Sequence, residues 1–144
     1  MIALASKKIK FVQMSKTTKH FLLAIGSGLL LSASWPVNGF TLLIFGALIP
    51  LLFLEDSIKK SDSKRKVLQV FGYSYLTFLL WNLLITWWLI NSTLSGMLFA
   101  NFCNSLFYAL VFTCFSWAKR RLPNRSAYLF FIALWLAFEK LHLS

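Results

Sequence analysis

The stretch from Val67 to Gly96, VLQVFGYSYLTFLLWNLLITWWLINSTLSG, constrains this chain most, because no Asp, Glu, Lys, Arg or His interrupts it from Val67 to Ile90. At about 1.5 Å per residue that run makes roughly 36 Å of helix, more than the roughly 30 Å of a bilayer's hydrocarbon core. Lys64, Arg65 and Lys66 flank its start, and Trp87 and Trp88 fall where the far interface should lie. Indole rings combine an apolar body with one N–H donor and settle at headgroup depth. The stretch therefore reads as a membrane crossing with its basic end inward.

The rest of the chain repeats the pattern. Of 144 residues, 58% are hydrophobic and 13% charged, whereas a soluble globular domain carries about a quarter charged. The apolar residues come in long blocks rather than at period 2 or 3.6, so they must face lipid or each other. The expected fold is all-α and integral to the membrane: a bundle of about five transmembrane helices, near 20–34, 40–54, 67–90, 94–118 and 127–142. A basic cytoplasmic tail, 1–19, precedes them, and the first two helices form a short hairpin.

A formal net charge of +11 raises the question of nucleic acid, which the placement of the charge answers. Lys7, Lys8, Lys10, Lys16 and Lys19 precede the first block; Lys59, Lys60, Lys64, Arg65 and Lys66 separate the second and third; Lys119, Arg120, Arg121 and Arg125 separate the fourth and fifth. The gaps from Trp35 to Gly39 and from Asn91 to Gly96 hold no charge. That alternation is the positive-inside pattern of a chain with a cytoplasmic N-terminus. No nucleic-acid-binding motif is present, and attraction to anionic headgroups, about 1 kcal/mol per nearby Lys or Arg, accounts for the same residues. Cys103 and Cys114 share a helix face about 16 Å apart along the axis, too far for a disulfide, and read as small packing residues.

Met14 offers an alternative start within the tail. The tail and the following Phe21–Leu31 block also mimic a signal peptide, but another apolar block begins at once, at Phe40. Blocks one and two, at about 22 Å each, are short for a full span and could cross or re-enter. Pro36, Asn38 and Gly39 supply the turn between them, and Gly26, Gly28, Gly46 and Ala47 offer surfaces for close helix contact. Glu55, Asp56 and Asp62, three of the four acids, fall in an expected loop from Glu55 to Lys66 and read as solvated charges.

Candidate functional residues are polar side chains inside apolar blocks. Asn101, Asn104, Ser105 and Tyr108 follow i, i+3, i+4, i+7 and share one helix face, and Asn82 and Thr86 lie one turn apart on another. Amides in hydrocarbon are costly without partners, so these faces should meet or line a polar cavity. Trp135 and Glu139 share a face of the last block, and Glu139 is the one acid outside the basic flanks. Asn91–Thr93 and Asn124–Ser126 form glycosylation sequons, the first also a good turn and N-cap. No catalytic residue, cofactor or metal site emerges.

Three segments in order, LLLSASWPVNGF, FGYSYLTFLLWNLLITWWLINST and IALWLAFEKLHLS, resemble the N-terminal membrane portion of apolipoprotein N-acyltransferase, in the flavour of a Bacteroidetes-like branch. The last is similar to that family's A-L-W-x-x-x-E-x-L-R stretch, with Lys140 where an aromatic is common and His142 where Arg is usual. The resemblance implies a bacterial inner-membrane, multi-pass enzyme that moves an acyl chain from membrane phospholipid to the N-terminal cysteine of a diacylated lipoprotein. It also places the chemistry in a periplasmic nitrilase-like domain, on a Glu, Lys and Cys triad for which this chain has no counterpart. The expectation is a truncated or split module, inactive alone, whose partners are the C-terminal helices and that domain. The competing expectation is a small oligomeric multi-pass transporter or carrier.

Overall fold

The computed structural model describes residues 15–35, 40–91 and 93–142, and all the elements among them are helical. Helix α1 (Lys16–Ala33) starts where the Ser15 hydroxyl accepts the Thr18 backbone N–H at 3.1 Å, satisfying one orphan donor of the first turn. Lys16 and Lys19 thus belong to a helix that the sequence had begun at residue 20. The expected Pro36–Gly39 turn and the tail before Ser15, with its alternative start, lie outside the described residues.

The single helix expected over 40–54 is instead broken. A 3₁₀ turn (Thr41–Leu43) leads into α2 (Ile44–Ala47), and α3 (Ile49–Lys59) follows. Pro50 explains the break: it has no N–H to donate, which is harmless only in a first turn, and it occupies the second position of α3. From there α3 continues past Leu54 and takes Glu55 and Asp56 out of the expected loop and into a helix.

Helices α1 and α3 run antiparallel. His20 Nε2 lies 2.9 Å from Ser57 Oγ at one end, and the Ser27 hydroxyl donates to the Ala47 carbonyl further along. Helix α4 (Lys66–Ile85) packs on α1 at close range, and Thr77 Oγ1 donates to the Ala24 carbonyl at 3.0 Å. A Cβ on Gly28 would stand 2.9 Å from the Thr77 carbonyl oxygen, so only glycine admits this approach, whereas Gly26 faces nothing within 4 Å. Thr86 caps α4, and Trp87–Asn91 forms a 3₁₀ turn where the sequence had continued the helix to residue 90. Helix α5 (Leu94–Ala118) has Thr93 as N-cap without a side-chain cap bond, and α6 (Asn124–His142) returns along α5.

The core is apolar but admits many polar side chains, and the surface is unusually apolar. Buried with Phe78, Phe112 and Phe115 are Ser27, Glu55, Ser74, Thr77, Asn82, Asn101 and Ser105, while Phe53, Leu68, Phe99 and Leu129 are more than 60% exposed. Such a surface suits lipid, where polar groups must find partners inside. Among the described residues two helices, α4 and α5, are long and apolar enough to cross a bilayer. Helix α1 opens on a polar turn, and α6 carries Arg125, Glu139 and Lys140.

One end of the bundle gathers the basic groups. Lys59 Nζ donates to the Lys119 carbonyl at 3.0 Å and Lys66 Nζ to the Lys59 carbonyl at 2.9 Å. Cations placed on the last carbonyls of α3 and α5 complement their C-terminal partial charge.

Candidate functional site

Helices α4 and α5 meet through Asn82, which is 2% exposed and bonded on both sides of its amide. Its Nδ2 donates to the Phe78 carbonyl at 2.8 Å and to Ser105 Oγ at 3.3 Å, and its Oδ1 accepts from Asn104 Nδ2 at 2.6 Å. One turn on, the Thr86 hydroxyl bridges the Asn82 carbonyl at 2.7 Å and Asn101 Oδ1 at 2.9 Å, and Asn101 Nδ2 donates to the Met97 carbonyl at 2.8 Å. The helical spacings 82/86 and 101/104/105 turn these groups toward each other.

The meeting is incomplete, and a cleft of about 370 Å³ opens beside it. Asn82, Thr86, Asn101 and Asn104 supply its polar part, and Leu89, Ala100, Cys103 and Phe107 its apolar wall. Asn104 Oδ1 is buried there without a hydrogen-bond partner. A buried orphan acceptor costs free energy, so this atom calls for an N–H or O–H donor.

Tyr108, Trp135 and Glu139 form a second group, between α5 and α6. The Tyr108 hydroxyl donates to Glu139 Oε1 at 2.9 Å. The phenol ring lies with its centroid 5.3 Å from Trp135 and 5.3 Å from Trp81, so the aromatic cluster reaches back to the residue before Asn82. Trp81 Nε1 is a buried donor without a partner. The seven residues singled out in the sequence therefore separate into a cleft (Asn82, Thr86, Asn101, Asn104) and an aromatic-lined carboxylate (Tyr108, Trp135, Glu139), joined through Trp81.

A third cluster was missed in the sequence. Glu55 is fully buried; its Oε1 accepts from Ser116 Oγ at 2.9 Å and its Oε2 pairs with Lys119 Nζ at 2.8 Å, which also bonds Asp56 Oδ1 at 2.5 Å. Burial alone would lower the Lys119 pKa, but the hydrogen bonds to Asp56 and Glu55 outweigh it and raise the ammonium above its ordinary range. Glu55 is therefore a buried structural partner and not a solvated loop charge, while Asp56 pairs with Lys119 at 42% exposure and Asp62 is exposed as expected. The signal was present: Glu55 directly continues the Leu51–Leu54 block, and Ser116 and Lys119 are three apart on one helix face.

The amides of the cleft and the Glu139 carboxylate can bind and orient a polar group by hydrogen bonds. Among the described residues no three His, Cys, Asp or Glu side chains converge to hold a metal. Residues 27–143 match the family described as the apolipoprotein N-acyltransferase N-terminal domain. This chain belongs to that family. The apolipoprotein N-acyltransferase of Chlorobaculum tepidum is 33% identical over 126 residues, covering 85% of this chain and 22% of the relative. The chain thus spans about a fifth of the length of the curated relative it matches. No solved structure matches it. The two crossing-length helices α4 and α5 lie within this matched span. The cleft, the Tyr108–Glu139 pair and the Glu55–Lys119 pair all fall inside the matched span.

Proposed function

We propose that this chain is the membrane-embedded N-terminal module of an apolipoprotein N-acyltransferase in the bacterial inner membrane, with its N-terminus in the cytoplasm. In this reading α4, α5 and α6 cross the bilayer. Helices α1 to α3 form a hairpin with both ends on the cytoplasmic side, α1 about 27 Å long and α3 about 16 Å. The module binds phospholipid. Transfer of an acyl chain to the N-terminal cysteine of a diacylated lipoprotein is carried out by a nitrilase-like domain with Glu, Lys and Cys, in the part of the longer enzymes that this chain does not span.

The observation that carries the binding role is the α4–α5 cleft, whose wall of Leu89, Ala100 and Phe107 suits an acyl chain and whose orphan Asn104 Oδ1 suits a donor near the headgroup. Charge supports the orientation, since the lysines that cap α3 and α5 gather at one end.

The test is complementation. In cells depleted of the acyltransferase, this chain alone is expected to leave a reporter lipoprotein diacylated, as read by mass spectrometry of its N-terminal peptide. Grafted onto the remainder of a relative, it is expected to restore the third acyl chain. Acylation by this chain alone would overturn the assignment, as would a graft that inserts and folds yet stays inactive.

A further inference from the structure

We propose that the loops between α3 and α4 and between α5 and α6 together form one docking surface for the headgroups of anionic phospholipids. The inference rests on the membrane reading above and extends it to a lipid class. The loops lie some sixty residues apart in sequence, yet Lys59 Nζ on the Lys119 carbonyl, at 3.0 Å, stitches one to the other. Lys66 on the Lys59 carbonyl, at 2.9 Å, holds the far side of the first loop.

Within this frame the cations divide by role. Lys59, Lys66 and Lys119 are engaged internally, whereas Lys60, Lys64, Arg65, Arg121 and Arg125 are exposed at the rim. Glu55 and Asp56 are both taken by Lys119, which leaves the exposed Asp62 as the remaining acid on these loops. Arg120 holds Ser116 Oγ only at 3.5 Å through one terminal nitrogen, and its buried Nε has no partner, so most of its donor fork is unused. The Arg121 guanidinium stacks 4.3 Å over Trp117, a half-exposed indole at the end of the crossing helix α5. That pairing fixes a guanidinium at headgroup depth with its planar fork available to phosphate. A rim of cations with one acid among them complements phosphodiesters that carry net negative charge, and zwitterionic headgroups gain far less from it.

The chain reconstituted in phosphatidylcholine vesicles containing a minor fraction of spin-labelled phosphatidylglycerol or spin-labelled phosphatidylcholine tests this. Electron paramagnetic resonance is expected to show motionally restricted phosphatidylglycerol in preference to phosphatidylcholine, a preference that shrinks as salt rises. The variant Arg120→Gln/Arg121→Gln/Arg125→Gln is expected to lose that preference by about tenfold, and Arg120→Lys/Arg121→Lys/Arg125→Lys to keep only the part that charge alone supplies. Equal restriction of both lipids by the native chain, or an unchanged preference in a glutamine variant that retains its helical circular dichroism, would overturn the docking surface. Failure of the native chain to float with vesicles of phosphatidylcholine alone would instead overturn the membrane reading and this inference with it.

Discussion

Lys119 shows what a single side chain can decide here. Its ammonium is 3% exposed and sits between two carboxylates, one of them wholly buried. Replacing one partner of a buried pair strands the other, so Lys119→Met is expected to cost about 3–5 kcal/mol, while the double variant Glu55→Met/Lys119→Met recovers most of that loss. Denaturant titration in detergent, followed by tryptophan fluorescence, checks both. The pH dependence has a definite sign. Because the folded pKa of Lys119 lies above its ordinary 10.5, its contribution is complete below that pH and is lost as pH rises through the folded value. The melting temperature should therefore lose a component above about pH 10.5 that Lys119→Met has already lost. Asn82 is the second decisive residue: Asn82→Ala deprives Asn104 Nδ2 and Ser105 of a partner and is expected to cost about 1–2 kcal/mol, smaller than the ionic loss because interhelical amide bonds in lipid are modest.

At the scale of elements, the α1–α4 contact depends on Gly28. A methyl group there meets the Thr77 carbonyl at 2.9 Å and Leu80 Cδ2 at 3.2 Å, so Gly28→Ala is expected to destabilise by about 1–3 kcal/mol, whereas Gly26→Ala, on the opposite face of α1 in open space, should be neutral or slightly stabilising. Thermal unfolding of the two variants side by side separates packing from helix propensity. Both glycines were visible in the sequence, but which one meets a neighbour was not, since that depends on the rotation of α1 against α4. The facing of 82/86 against 101/104/105 was legible because helical spacing alone fixes it. The break in the second block was half legible through Pro50. The burial of Glu55 was half legible, since it directly continues the Leu51–Leu54 block, but its pairing was not, because Lys119 lies 64 residues away. Trp87 and Trp88 were read as the end of a helix and form a 3₁₀ turn after Thr86 instead.

For the whole molecule, the arrangement follows from solvent. Lipid removes the penalty on an apolar exterior and raises it on unpartnered polar groups, so Asn82, Thr77, Ser74 and Glu55 go inward while Phe99 and Leu129 go out. The same rule sends most of the cations to one end, where Lys59 and Lys66 tie three helix termini together, with Lys140 at the far end of α6. In the proposed reading, the module presents the α4–α5 cleft at a fixed depth relative to its basic end. Sidedness is the most direct measurement. In a Cys103→Ala/Cys114→Ala background, Ser63→Cys and Asn91→Cys are each exposed to a membrane-impermeant maleimide in intact spheroplasts and in inverted vesicles. Position 63 is expected to react only in inverted vesicles and position 91 only in spheroplasts; reaction of both from one side would contradict a crossing by α4 and the function proposed from it.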